Sequence, residues 1–245
     1  MTENLIFKTE TIKLYAMAKN INELVKEFKI QVLSEGLRIM EIDPANVCLI
    51  DVVLNKEEMP VYNYEKKAVY CLNAEDFYKI LKDNKKTDVN FYIDEERKKA
   101  VFGFSNGSKS ELPLIDSDSD IKPIPELDFK GKIEIEAKKF KEIIKNLSNI
   151  GESVKIDFNS EENYLIFSAK EGENKTEIKL NSDEVLINGT AKSIYSLEYL
   201  SKMIKEQIGE KVILCLNSDR PLMVRYEASK YFKINFLLAP RINEE

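Results

Sequence analysis

Hydrophobic and polar positions along the chain repeat one phrase four times: apolar residues at i, i+3 and i+4, followed at once by lysine. The four copies are Leu14-Met17-Ala18-Lys19, Phe77-Ile80-Leu81-Lys82, Phe140-Ile143-Ile144-Lys145 and Leu200-Met203-Ile204-Lys205. At about 100° per residue the three apolar side chains share one stripe of an α-helix, and the lysine lands roughly 140° from the first of them. The spacing predicts four helices that each bury one face and show a cation on another. Such a set suits a common surface for a polyanion.

Each predicted helix is followed by runs rich in Val, Ile, Phe and Tyr, which read as strands. They fall at residues 28–33, 37–42 and 47–54 after the first helix, and at 89–93, 100–104 and 110–115 after the second. Residues 154–158, 164–169 and 177–180 follow the third, and 212–216, 222–226 and 232–238 the fourth. A short strand is also expected before each helix, at 5–7, 68–72, 132–135 and 184–187. The chain therefore reads as four strand-helix-strand-strand-strand units with a period of roughly 60 residues, too long for most solenoid repeats. Polar clusters at 34–36, 94–97, 159–163 and 217–221 mark tight hairpins, so antiparallel pairing follows. The fold class is α+β: two similar domains, each of two βαβββ units, with two helices against antiparallel sheet. Asn73, with Asp76 three residues on, is expected to cap the second helix, and Ser196 the fourth.

A composition break separates the domains. Residues 116–127 carry three aspartates, Lys122, Pro123 and Pro125, which excludes helix and favours an extended segment. The expected boundaries are residues 1–116, a connector at 117–128, and residues 129–245. Ile121, Ile124 and Leu127 give the connector apolar points of rest on the protein surface. The run Asp116-Ser117-Asp118-Ser119-Asp120 starts like a calcium loop, but Ile121 stands where glycine is needed and Leu127 where glutamate is needed. It reads as a solvated connector.

Composition mostly removes options. At 245 residues, 43% hydrophobic and 33% charged, the chain suits two ordinary cores. No run approaches a membrane span and the first residues do not resemble a signal peptide, so a cytoplasmic protein is expected. Cys48, Cys71 and Cys215 are odd in number, distant, and set in apolar runs, as buried free thiols are. There is no histidine, and no phosphate-loop, dinucleotide-binding or nucleophile-elbow motif among eight glycines. No enzyme, cofactor or metal site is expected.

Several segments then resemble one family, the archaeal and eukaryotic sliding clamp of DNA replication, proliferating cell nuclear antigen. They are EGLRIMEIDPANVCLIDVVL (35–54), LPLID (112–116), NLSNIG (146–151), YLSKMIK (199–205) and FLLAPRI (236–242). The resemblance covers essentially the whole chain. It implies a ring of three subunits joined head to tail, with helices lining a channel for duplex DNA and sheets outside. Lys19, Lys82, Lys145 and Lys205 then match the channel-facing basic positions, with Lys13, Lys79, Lys138, Lys141 and Lys202 as companions. A net charge of −6 fits a body that holds DNA by topology and leaves it free to slide.

The resemblance also implies partners: a clamp loader, DNA polymerase, and other replication and repair proteins that dock a short peptide beneath the connector. Its pocket would draw on Ile42, Val47, Leu49, Ile124, Pro125, Pro221, Leu238, Ala239 and Pro240. Lys122-Pro123 departs from the common family pattern at its rim. Subunits would join by strand edges, residues 109–115 of one copy against 175–180 of the next, with Lys109, Glu111, Leu112, Leu114, Lys175, Glu177, Ile178 and Lys179 at the contact. The alternative is a subunit of a heteromeric ring that acts mainly as a protein-interaction scaffold.

Overall fold

Strands that lead into one helix pair with strands that follow its partner helix, and this exchange knits four repeats into two units. The computed structural model describes residues 4–116, 127–180 and 184–241. The first repeat runs β1 (Asn4–Glu10), α1 (Thr11–Asn22), β2 (Glu27–Leu33), β3 (Gly36–Ile42) and β4 (Cys48–Asn55). A 3-10 turn at Lys56–Glu58 and a two-residue strand, β5 (Val61–Tyr62), lead to the second: β6 (Ala68–Asn73), α2 (Ala74–Lys82), β7 (Asp88–Asp94), β8 (Lys99–Phe104) and β9 (Lys109–Pro113). The third is β10 (Gly131–Glu136), α3 (Ala137–Ser148), β11 (Ser153–Asn159), β12 (Tyr164–Glu171) and β13 (Asn174–Leu180). After β14 (Val185–Asn188), the fourth is β15 (Thr190–Ser196), α4 (Leu197–Met203), β16 (Lys211–Leu216), β17 (Leu222–Ser229) and β18 (Phe232–Leu238).

Among the described residues, the first compact unit takes in 4–44, 50–116 and 229–234, and the second 45–49, 127–180, 184–228 and 235–241. In the first, β1 pairs with β7 and β2 with β6. In the second, β10 pairs with β16 and β11 with β15 by the same rule. All of these ladders are antiparallel. Within each unit the two helices pack on one another and against the sheets.

The apolar stripes supply the cores. Phe77 of α2 is 1% exposed, with its ring centroid 5.0 Å from that of Phe28 and 5.7 Å from that of Phe102. Phe102 continues to Phe91 and Phe91 stacks on Phe7, so one aromatic chain crosses from helix to sheet. In the second unit Phe140 of α3 faces Phe167 of β12. Cys48, Cys71 and Cys215 are buried, and none of the three forms a disulfide.

Turn chemistry falls where the polar clusters stand. Asn163 and Asp219 adopt φ of 55° and 56°, the left-handed geometry that short polar side chains tolerate. Gly36 opens β3 at φ 140°, and a Cβ there would sit 2.4 Å from the Leu54 carbonyl oxygen, so no other residue fits.

Four expectations need correction. The strand feeding the fourth helix is β15, and the apolar run near 184–187 is the separate strand β14, parted from it by Gly189 at φ 80°. Inward positions of β15 are Ala191, Ser193 and Tyr195, too weakly apolar to show as alternation. The fourth helix stops at Met203, so Ile204 is its C-cap and Lys205 lies beyond it. Asn73 does cap α2, its side-chain oxygen accepting from the Asp76 N–H at 3.0 Å, whereas Ser196 makes no side-chain cap bond. Finally, β9 ends at Pro113, where the missing N–H interrupts the ladder; Leu114 donates to the Lys98 carbonyl and Ile115 bridges to Cys71.

Candidate nucleic-acid interface

The repeated phrase orients α2, α3 and α4 as its spacing requires. Phe77 and Leu81, Phe140, Ile143 and Ile144, and Leu200, Met203 and Ile204 are buried, with Ile80 half-buried, while Lys82, Lys145 and Lys205 are exposed. Helix α1 departs from the pattern: Tyr15 and Ala16 are buried along with Leu14, Met17 and Ala18, and Lys19 is only half-exposed. The cause is the packing of α1 against α2, which covers a second side of the helix.

Lysine near a helix end also has a local reason. Lys19 and Lys145 stand in the last turns of α1 and α3, and Lys79 and Lys82 in that of α2, where unpaired carbonyls favour a cation by about 0.3–1 kcal/mol. That bias builds the helix and leaves the charge outside it.

The companion lysines divide by their partners. Lys13 is held by Glu58 at 2.7 Å and Glu10 at 3.2 Å, with its side chain 20% exposed. Lys79 pairs with Glu75 at 2.6 Å and Lys202 with Glu198 at 2.9 Å, both one helical turn back. Lys138 is exposed and Lys141 half-exposed on α3. By contrast Lys19 and Lys82 lie over tyrosine faces, 5.8 Å from the Tyr15 centroid and 5.9 Å from that of Tyr78. A carboxylate neutralises a lysine's field; an aromatic ring holds it with its charge intact.

The Lys13 cluster sets an acid limit on stability. Hydrogen bonds from Lys13 and from the Ser229 hydroxyl hold the Glu58 carboxyl below the ordinary value. A group whose pKa falls on folding stabilises fully above its unfolded value and loses that contribution as pH drops through the folded one. Glu111 and Asp94 are shifted the same way, Glu111 by Lys99 and Arg97, Asp94 by the Arg97 backbone N–H and guanidinium. The thermal midpoint should therefore hold from neutral pH down to the carboxylate range and fall below it. Glu58→Gln should shrink that fall; an identical acid profile would remove Glu58 from the cause.

Of the pocket positions, the structure brings Val47 to Ala239, whose N–H donates to the Val47 carbonyl at 2.9 Å. Val47, Pro221, Ala239 and Pro240 are half-buried in the second unit. Leu238 is fully buried and Leu49 is 9% exposed, so both serve its core. Ile42 belongs to the first unit. Ile124 and Pro125, with most of the acidic run and the connector, lie outside the described residues. Among the described residues no cluster of metal-ligating side chains occurs.

Strands β9 and β13 stand at the ends of their sheets. Lys109 is exposed and Leu112 is buried; Leu114 lies past the strand end. On β13, Lys175 pairs with Glu177 at 2.8 Å, Ile178 is half-buried and Lys179 exposed. Sequence reasoning missed the setting of Glu111, gripped by Lys99 at 2.7 Å and Arg97 at 3.0 Å, with Arg97 also on Asp94. Opposite charges on the adjoining strand β8 and its turn were the available signal.

Comparison with known proteins gives the lineage. Residues 4–123 match the N-terminal domain model of proliferating cell nuclear antigen and 123–241 the C-terminal domain model. The chain is 32% identical to the DNA polymerase sliding clamp of Thermococcus onnurineus over 240 residues, covering 94% of each, and 32% identical to sliding clamp 1 of Thermococcus kodakarensis over 244, covering 96% of each. Among solved structures it superimposes on A. fulgidus PCNA bound to the C-terminal region of FEN-1 with TM-score 0.89 at 25% identity, over 99% of this chain and all of that one. A PCNA2–PCNA3 complex from Sulfolobus tokodaii gives TM-score 0.85 at 23% identity, covering 96% of this chain and 98% of that one, which bears on the fold alone. Two matched domain models, full-length relatives and this architecture agree: the chain belongs to the proliferating cell nuclear antigen family of DNA sliding clamps.

Proposed function

We propose that this chain is a processivity factor: three copies close head to tail into a ring that surrounds duplex DNA and tethers DNA polymerase and other replication and repair proteins. A clamp loader opens and closes the ring, and no catalytic step is involved. The observation that carries the reading is the fourfold lysine, set in the last turn or just past the end of each helix, exposed at α2, α3 and α4 and half-exposed at α1. A net charge of −6 argues against tight phosphate binding as the means of retention. Enclosure retains the duplex, and a few lysines facing phosphate keep it centred without reading bases. In this arrangement β9 of one copy meets β13 of the next, which satisfies two open ladders at once.

Native mass and DNA topology test it together. A homotrimer that stays on closed circular duplex after loading and leaves once the circle is cut supports the reading. Equal retention on both forms would overturn it. A chain that gains ring mass only with paralogues would replace the homotrimer by a heteromeric ring.

Client docking is the second part. The FEN-1 complex of the A. fulgidus protein supports a peptide site, and here the hydrogen bond from the Ala239 N–H to the Val47 carbonyl brings half-buried apolar residues together next to Pro240. Ala239→Glu with Pro240→Glu should weaken binding of a clamp-binding peptide at least tenfold by calorimetry while ring mass stays unchanged. An unaltered Kd would move the pocket elsewhere.

A further inference from the structure

The two units bridge their helices differently. In the first, Tyr15 of α1 and Tyr78 of α2 meet with ring centroids 5.7 Å apart. Both follow directly on the first apolar residue of the phrase. In the second unit those positions hold Lys141 and Ser201, and the helices are bridged by the Ser148 and Ser201 hydroxyls at 3.0 Å.

Three ammonium groups gather on the tyrosine pair. Lys19 and Lys82 each reach the tyrosine four residues back, which helical spacing alone provides. Lys85 is different. It follows α2 in the turn before β7 and crosses to the ring of α1, its Nζ 3.7 Å from the Tyr15 centroid. That is the shortest cation-to-ring distance among the described residues. Burial pushes the Tyr78 phenol up even though Lys19 and Lys85 pull it down, so that ring stays uncharged at neutral pH.

A lysine docked on a neutral ring keeps its full charge and has already given up part of its side-chain freedom. Lys13, Lys79 and Lys202 instead face carboxylates that cancel their field. From this geometry we infer that Lys85, outside the fourfold repeat, is a DNA phosphate contact held in place by Tyr15. The inference rests on the reading of the lysine-bearing helix surface as DNA-facing.

Lysine acetylation of the full-length protein, read by mass spectrometry with and without a short duplex at low salt, tests both levels. Lys85 should be protected several-fold together with Lys82 and Lys145, while Lys66 and Lys67 react unchanged. Tyr15→Leu should reduce protection at Lys85 more than at Lys145. Lys85→Gln, a change at a half-exposed position, should lower the slope of log affinity against log salt by about one, as the loss of one phosphate contact requires. Protection at Lys82 and Lys145 without Lys85, or an unchanged slope, would overturn the inference and leave the encircling ring standing. No protection at any helix lysine would overturn both. Full protection of Lys85 in the Tyr15→Leu protein would remove Tyr15 as its positioning residue.

Discussion

Exchanging Lys19, Lys82, Lys145 and Lys205 for glutamate should impair loading onto closed circular DNA, so that little protein is recovered on it, and leave the ring mass unaltered. Each exchange moves the charge by two, so the chain goes from −6 to about −14 and the repulsion is concentrated where phosphate must pass. Three of the four side chains are exposed and the fourth is half-exposed, so none belongs to a core. The structural cost is limited to the loss of two tyrosine contacts, about 0.5–1 kcal/mol each, and to helix-end terms of similar size. Stability should survive while DNA handling does not. The measurement is the fraction retained on circular duplex after gel filtration at rising salt, beside native mass. Wild-type retention by the variant would show that these lysines are only a solvated face.

Phe77→Ala should be the most damaging single change in the first unit. Phe77 is 1% exposed and joins the helix layer to the sheet through Phe28 and Phe102, with Phe91 and Phe7 behind. Truncating such a ring removes its transfer energy and leaves a cavity, together about 3–5 kcal/mol. Against a typical domain stability of about 5–15 kcal/mol, this is a large share. The transition of the first unit should drop by roughly 10–20 °C in calorimetry. Tyr78→Phe, which keeps the ring and loses one hydroxyl, should shift it far less. A Phe77→Ala shift no larger than that of Tyr78→Phe would mean that neighbouring side chains close the cavity.

The exposed, lysine-bearing side of a helix was legible because helical spacing is local. Leu81 and Lys82 are chain neighbours, yet one is fully buried and the other exposed. The settings of the lysines were not legible. Lys13 meets Glu58 across 45 positions and Lys85 meets Tyr15 across the gap between two helices. Neither distance in sequence carries any period. Strand β15 escaped notice because its inward side chains are Ala191, Ser193 and Tyr195, whose burial depends on the neighbours β11 provides.

The sequence alone determined the fourfold repeat, the four helices, most hairpins and the family, since each is written in spacings of a few residues or in contiguous motifs. Tertiary structure decided that β1 takes β7 and β2 takes β6 as partners, that α1 is covered on two sides, and which lysines face carboxylates and which face rings. Those outcomes depend on contacts between residues tens of positions apart, where packing and Coulomb energy act through space and leave no mark on the local pattern.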